Sequence, residues 1–436
     1  MLIFAYAPAG LGHLRVTDAL YHGLPKSVSP LLLGTQDKSI TIIHRFTSIR
    51  PIFRDFAEWM QQGLPESLFT RFYRWYLRNN TQILFEQILT LLDQRIDVPD
   101  TVLVVATHFG LAHQLCAIKK RIETEKKVNV VVVVQVTDDS PQQLWYVPGA
   151  DLTFVPSQRT KEDLMRFGKK SSLAPIRIVV TPYPISPLLG ESYTLRQTME
   201  RKDQLTISGK SRIHVAVPIS GAAVGMEFVT KLIDSLYSKS HRFIFHVISK
   251  SSPFTEDFLK EMIARSYVEL HVSTHDRQIV DVYEQVYRRN IISLEVTKPS
   301  EQAFKALLCT HHVGGSILLF SKPVGRQEYD NLHFLKRHQL LPDAKNYPKM
   351  DPLFQSSSVY QKNHHTWRGF RIPDDPLMAA DAIWKGIETG LFSDMIQDVD
   401  HCKNHIHMSE ELGSGGVAHF WNEVVNFLSE SHSVVD

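Results

Sequence analysis

The chain of 436 residues is poor in cysteine: Cys116, Cys309 and Cys402 are far apart and odd in number. That excludes a disulfide framework, leaves no CxxC metal knuckle and fits a reducing compartment. It also lacks an excess of charge. Lysine and arginine number 48 against 46 aspartate and glutamate, a net +2, so the balance demands no nucleic acid or other polyanion. No uncharged apolar run approaches the roughly 20 residues that span a bilayer. The longest, VNVVVVVQV at 128–136, reads as a buried strand. The apolar start is too short for a signal-peptide core and has no basic flank, so a cytoplasmic location is expected.

Strand-like runs are abundant. LIFAYA (2–7), ITIIHRF (40–46), TVLVVATH (101–108), VNVVVVVQVTD (128–138), LTFVPS (152–157) and IRIVVT (176–181) form a first series. Such continuous β-branched runs suit strands covered on both faces, hence a parallel sheet with helices on each side. Helical intervals at 67–95, 110–126 and 159–168 supply the crossovers. Three prolines in TPYPISP (181–187) end the series, and 190–211 reads as a polar linker. A second series follows: RIHVAVPIS (212–220), FIFHVISK (243–250), VELHVST (268–274), ISLEVT (292–297) and GGSILLF (314–320), with helices at 225–238, 254–265, 278–288 and 301–309. Residues 340–375 read as loop and 376–436 as a helical tail. The expected architecture is α/β: two Rossmann-like doubly wound domains, 1–189 and 212–375, facing a cleft at the carboxyl edges of their sheets.

The first strand runs directly into GLGH at 10–13, before a helix over 14–22. Gly10, Gly12 and His13 then lie at a helix N-terminus, where free N–H groups can meet an anion or a polar sugar. The glycines alone are better read as an ordinary strand–helix connection. Later come VVATHFG (104–110), VTDDSPQQLWYVPGADLTFVPS (136–157) and VTPYPISP (180–187), and in the second half PISGAAVG (218–225), VTKPSEQAFKAL (296–307) and VGRQEYDNLHFL (324–335). In order and spacing these segments resemble the GT-B glycosyltransferases, and among them the group of monogalactosyldiacylglycerol synthases and processive diacylglycerol glucosyltransferases. The match covers 1–190 well and 211–340 less evenly.

The resemblance implies an inverting transferase that moves a sugar from a nucleotide-sugar donor, UDP-linked, to a hydroxyl acceptor such as a lipid, with no metal and no cofactor beyond the donor. His13 is the first candidate for general base, since histidine titrates near neutrality; Asp138 is the alternative base. A capping or packing role for His13 stands beside that reading. Gly12, His108, Gln142 and Trp145 are the implied acceptor side. Ser220 and Gly221, in the turn that opens the next helix, are the implied diphosphate cradle. Thr297, Lys298, Glu301, Gln327, Glu328 and Asn331 complete the donor side, the last three near a helix N-terminus where amide and carboxylate groups can meet sugar hydroxyls. Four positions, in three places, depart from the family pattern. Ser300 and Glu301 replace a pair of glycines, Ala306 stands near the place of a ribose-binding acid, and Gln142 replaces a histidine.

Two other features stand out. Within 50–80, Arg71, Arg74 and Arg78 share a helical face with Phe72, Trp75 and Tyr76 alongside, which suits an anionic membrane surface and a peripheral location. A core-facing aromatic helix with its arginines outside fits the same letters. Near the end, Asp398 and Asp400 precede His401, His405 and His407; this reads as a polar helical surface rather than a metal site. Two further functions use the same fold: a nucleotide-sugar epimerase, and a non-catalytic relative that binds a nucleotide sugar or a membrane.

Overall fold

A computed structural model describes residues 1–6, 11–34, 63–219, 223–342, 366–397 and 409–433. The chain divides into two compact units, Met1–Pro184 with Gly415–Asp436, and Ile185–Ser414. Each carries one six-stranded sheet, parallel throughout.

In the first unit the elements are β1 (Leu2–Tyr6), α1 (Leu11–His22), β2 (Leu31–Gly34), α2 (Gly63–Asn79), α3 (Gln82–Asp93), β3 (Thr101–Ala106), α4 (Phe109–Lys126), β4 (Asn129–Gln135), β5 (Leu152–Val155), α5 (Gln158–Lys170) and β6 (Ile178–Val180). The strand order is β2-β1-β3-β4-β5-β6. Val130 to Val134 are all buried, as expected of a central strand covered on both faces. The core gathers alternate residues of β3 and β4 against Leu111, Leu115 and Ile118 of α4 and Phe85 and Ile88 of α3. The helical interval 67–95 comprises two helices, α2 and α3. The run at 40–46 lies outside the described residues; β2, three leucines and a glycine, was not expected as a strand. The last helix of the chain, Gly416–Ser433, belongs to this unit. Its Phe420 packs on Phe154 at 4.4 Å, and its Trp421 donates to the carbonyl of Leu20. Gly416 permits that return: a Cβ there would lie 2.3 Å from the carbonyl oxygen of Pro182.

In the second unit the elements are α6 (Leu195–Gln204), β7 (Ile213–Pro218), α7 (Met226–Lys239), β8 (Phe243–Lys250), α8 (Glu256–Ile263), β9 (Val268–Ser273), α9 (Asp276–Arg289), β10 (Leu294–Thr297), a 3-10 helix (Glu301–Leu307), β11 (Ile317–Phe320), α10 (Arg326–Arg337), β12 (Gly369–Arg371), α11 (Pro376–Glu388) and α12 (Leu391–Gln397). The order β12-β11-β10-β7-β8-β9 is the doubly wound arrangement, with its reversal between β7 and β10. Ile213, Val215 and Val217 of β7 and Phe243, Phe245 and Val247 of β8 face α7 and α8 on one side; α9 covers the other. The stretch 190–211, expected as a linker, holds a capped helix. Thr194 and Gln197 form its capping box, and Arg201 is buried, donating to the carbonyls of Thr310, His312 and Val313. Within the expected loop 340–375, Gly369–Arg371 adds an edge strand beside β11. Among the described residues no helix is long and apolar enough to cross a membrane.

Candidate functional site

In the first unit the strand order reverses around β1, and the groups that follow β1 and β3 meet at that switch point. Gly12 and His13 stand in the first turn of α1. The Nδ1 of His13 lies 2.7 Å from the carbonyl oxygen of Thr107, the residue after β3. A carbonyl only accepts, so Nδ1 carries the proton and Nε2 is the basic nitrogen of the neutral ring. Threonines complete the frame. Thr17 donates to the carbonyl of His13 and shares a 2.8 Å hydroxyl contact with Thr107; the Thr137 hydroxyl, beyond β4, stands 3.4 Å from Nδ1.

His108 caps α4 in extended conformation and is buried. Its ring stacks on Phe109 at 4.7 Å and meets His13 edge-on at 5.0 Å. Trp145 is buried 6.4 Å from His13 and packs its edge against Phe109. Gln142, also buried, opens the turn that positions Trp145, its carbonyl accepting from the Trp145 amide. Thus His13, His108 and Trp145 form one aromatic group at the carboxyl edge of the first sheet. Of the two adjacent acids, Asp138 is partly exposed. Asp139 is buried and accepts from the hydroxyls of Ser157 and Thr160; Ser157 in turn caps α5 by accepting from the Thr160 amide, so Asp139 braces that cap.

The reading of the 71–78 helix needs correction. Arg74 is buried, its guanidinium over the Phe167 ring and donating to the Gln143 carbonyl, while Phe72 and Trp75 are 63% and 62% exposed. Desolvation lowers the Arg74 pKa to about 10, which leaves it charged at neutral pH. Arg71 and Arg78 are exposed. Nearby His113 is buried, donates to the Leu144 carbonyl, and is pushed down to about 3 by burial, so it is neutral.

In the second unit Ser220 and Gly221 lie outside the described residues, as do Gly10, Cys402 and the segment 398–408. Gly225, with φ of 85°, caps α7; that left-handed conformation suits glycine. At the β10 end, Thr297 is buried and its carbonyl accepts from Ser321. Lys298 reaches the Lys322 carbonyl. Glu328, in the first turn of α10, accepts from the Val324 amide at 2.5 Å, and burial raises its pKa to about 7; Lys298 opposes that rise and Glu301 adds to it. Lys298, Glu301 and Glu328 are therefore electrostatic neighbours. Gln327 is partly exposed beside them, whereas Asn331 is fully buried and donates to the Pro299 carbonyl. Asn331 thus fixes the loop after β10.

Sequence reading missed a charged cluster beneath this edge. Lys305 lies 2.6 Å from Glu295, both buried, and the hydroxyls of Tyr283 and Tyr287 donate to the same carboxylate. Two signals were available: an acid inside the apolar run ISLEVT and a lysine inside AFKAL. Likewise, Thr107 and Thr137 are the polar residues that end two long apolar runs. Ala306 is buried.

No protein-family model matches the chain, and no curated protein matches it. Solved structures do. The Staphylococcus aureus MnaA–UDP structure is 13% identical and covers 98% of this chain and 96% of its own, with a TM-score of 0.51. Anabaena Alr3699/HepE in complex with UDP and glucose is 12% identical, covering 98% and 99%, at a TM-score of 0.47. The UDP-GlcNAc 2-epimerase of Neisseria meningitidis bound to UDP-GlcNAc is 11% identical, covering 98% and 99%, also at 0.47. With its two parallel six-stranded sheets and flanking helices, the chain has the two-domain, Rossmann-like fold of the GT-B type.

Proposed function

We propose that the protein is an inverting, metal-independent glycosyltransferase that moves a hexosyl group from a UDP-linked donor to a hydroxyl acceptor. The observation that carries this reading is the 2.7 Å contact between His13 Nδ1 and the Thr107 carbonyl oxygen. With Nδ1 pledged to the Thr107 carbonyl, Nε2 takes the acceptor proton as the new O–C1 bond forms. The C1–O bond to the diphosphate breaks on the opposite face, and the leaving group departs with the electron pair. His108 and Trp145 orient the acceptor. Lys298, with Ser220 and Gly221, holds the diphosphate, while Glu301, Gln327 and Glu328 meet the sugar and nucleoside. The S. aureus neighbour holds UDP, which supports the choice of nucleotide. The test is incubation with a panel of UDP-sugars and hydroxyl acceptors. Transfer, or slow donor hydrolysis that His13→Ala abolishes, supports the reading; binding without turnover refutes it.

A second reading is epimerisation. A Glu328 carboxyl near 7 is suited to giving and taking protons on a sugar ring. A new epimer in the same incubation, without transfer, would establish that reaction.

A lipid acceptor is the finer part of the proposal. Phe72 and Trp75 stand exposed on α2 between Arg71 and Arg78, a combination that suits an anionic lipid surface.

A further inference from the structure

Away from the carboxyl edge of the second sheet, three histidines line up across β7, β8 and β9. His246, in the middle of β8, is fully buried. Its Nδ1 lies 3.1 Å from Nε2 of His271 and 3.3 Å from a carboxylate oxygen of Glu269, both on β9. That same oxygen is 3.9 Å from Nε2 of His271. His271 and Glu269 open to solvent, their side chains 25% and 55% exposed.

These separations have a metric meaning. A tetrahedral ion with bonds of about 2.0–2.1 Å places its ligand atoms about 3.3 Å apart. Two of the three separations match, and the third closes by rotation of the exposed Glu269 carboxylate. The inner side is built as well. The remaining nitrogen of His246, Nε2, sits 2.8 Å from Nδ1 of His214 on β7. An Nε2–H donated there would fix the tautomer that leaves Nδ1 as the ligand, as outer partners of metal-bound histidines do. Register explains the convergence. His246 pairs with Glu269, and His271 pairs with Ile248, two residues further along β8 on the same face.

We propose that His246, Glu269 and His271 bind a divalent transition metal of the Zn²⁺ class. Two imidazole nitrogens and one carboxylate oxygen make up three ligands, with water in a fourth position toward solvent. The ion ties the edge strand β9 to β8. It takes no part in the proposed sugar chemistry, because the cluster stands in mid-strand.

The test is metal binding by the whole purified chain. The protein is stripped with chelator, titrated with Zn²⁺ and with Co²⁺, and the bound metal is counted by elemental analysis. The expected result is one equivalent bound, a Co²⁺ spectrum of tetrahedral type, and a higher Tm with Zn²⁺. Glu269→Gln at an exposed position and His271→Ala at a partly exposed one should fold and lose both the equivalent and the Tm shift. His214→Gln should weaken binding about 10–100-fold, as expected of an outer partner. No bound equivalent in the wild type, or an equivalent that survives Glu269→Gln and His271→Ala, overturns the proposal.

Discussion

The imidazole of His13 donates to the carbonyl oxygen of Thr107 over 2.7 Å, joining residues 94 positions apart. One group follows β1 and the other follows β3, so the bond spans the point where the strand order reverses. This contact fixes both the ring's orientation and which nitrogen can act as a base.

The first prediction follows from that tautomer. His13→Ala should lower kcat for sugar transfer about 10²–10⁴-fold, the usual worth of a positioned general base. UDP affinity, measured by calorimetry, should stay within a factor of two or so of the wild type, since a missing base is not a missing donor contact. Unchanged kcat would remove His13 from the chemistry.

Glu328 predicts a pH dependence of stability. Its folded pKa, near 7, lies above its ordinary 4.5, so the native state holds the proton more tightly than the unfolded chain. Stability from this group is complete below about 4.5, falls as pH rises towards 7 and is flat above; the total change is on the order of 3 kcal/mol. Glu328→Gln keeps an acceptor for the Val324 amide and removes the slope. Urea unfolding of both proteins from pH 4.5 to 8 checks it: parallel curves would show that Glu328 ionises normally.

The Lys305–Glu295 pair predicts an asymmetry. Lys305→Met leaves a fully buried carboxylate without its cation and should cost about 3–5 kcal/mol. Adding Glu295→Leu should recover part of that loss, because the double variant buries no uncompensated charge. Urea midpoints measure both. A double variant less stable than Lys305→Met would assign the cost to lost packing instead.

For the exposed aromatic pair, Phe72→Ser with Trp75→Ser should change stability by less than about 0.5 kcal/mol, as surface substitutions do. It should reduce sedimentation with vesicles rich in anionic lipid. Equal sedimentation of the two proteins would remove this face from membrane binding.

Much of the fold was legible because it is written locally. Val130 to Val134 can satisfy a valine run only as a central parallel strand, and TVLVVATH and FIFHVISK carry the same message. Short or isolated signals failed. Leu31–Gly34 and Gly369–Arg371 are strands because neighbouring strands complete their hydrogen bonds, not because four or three residues announce it. The polar letters of 190–211 hid a helix whose Arg201 is buried by partners more than a hundred residues away.

At the candidate site, the sequence by itself determined the alternation of strands and helices and the placing of His13, Thr107 and Lys298 beside strand ends, because a parallel sheet sends every strand's carboxyl end to one edge. Tertiary structure alone decided which way Arg74 and Phe72 point, that Asp139 is buried against Ser157 and Thr160 while Asp138 is partly exposed, and that His246, Glu269 and His271 converge. Those outcomes depend on strand register and on which helix face meets the sheet, and both are set by contacts between residues far apart in the chain.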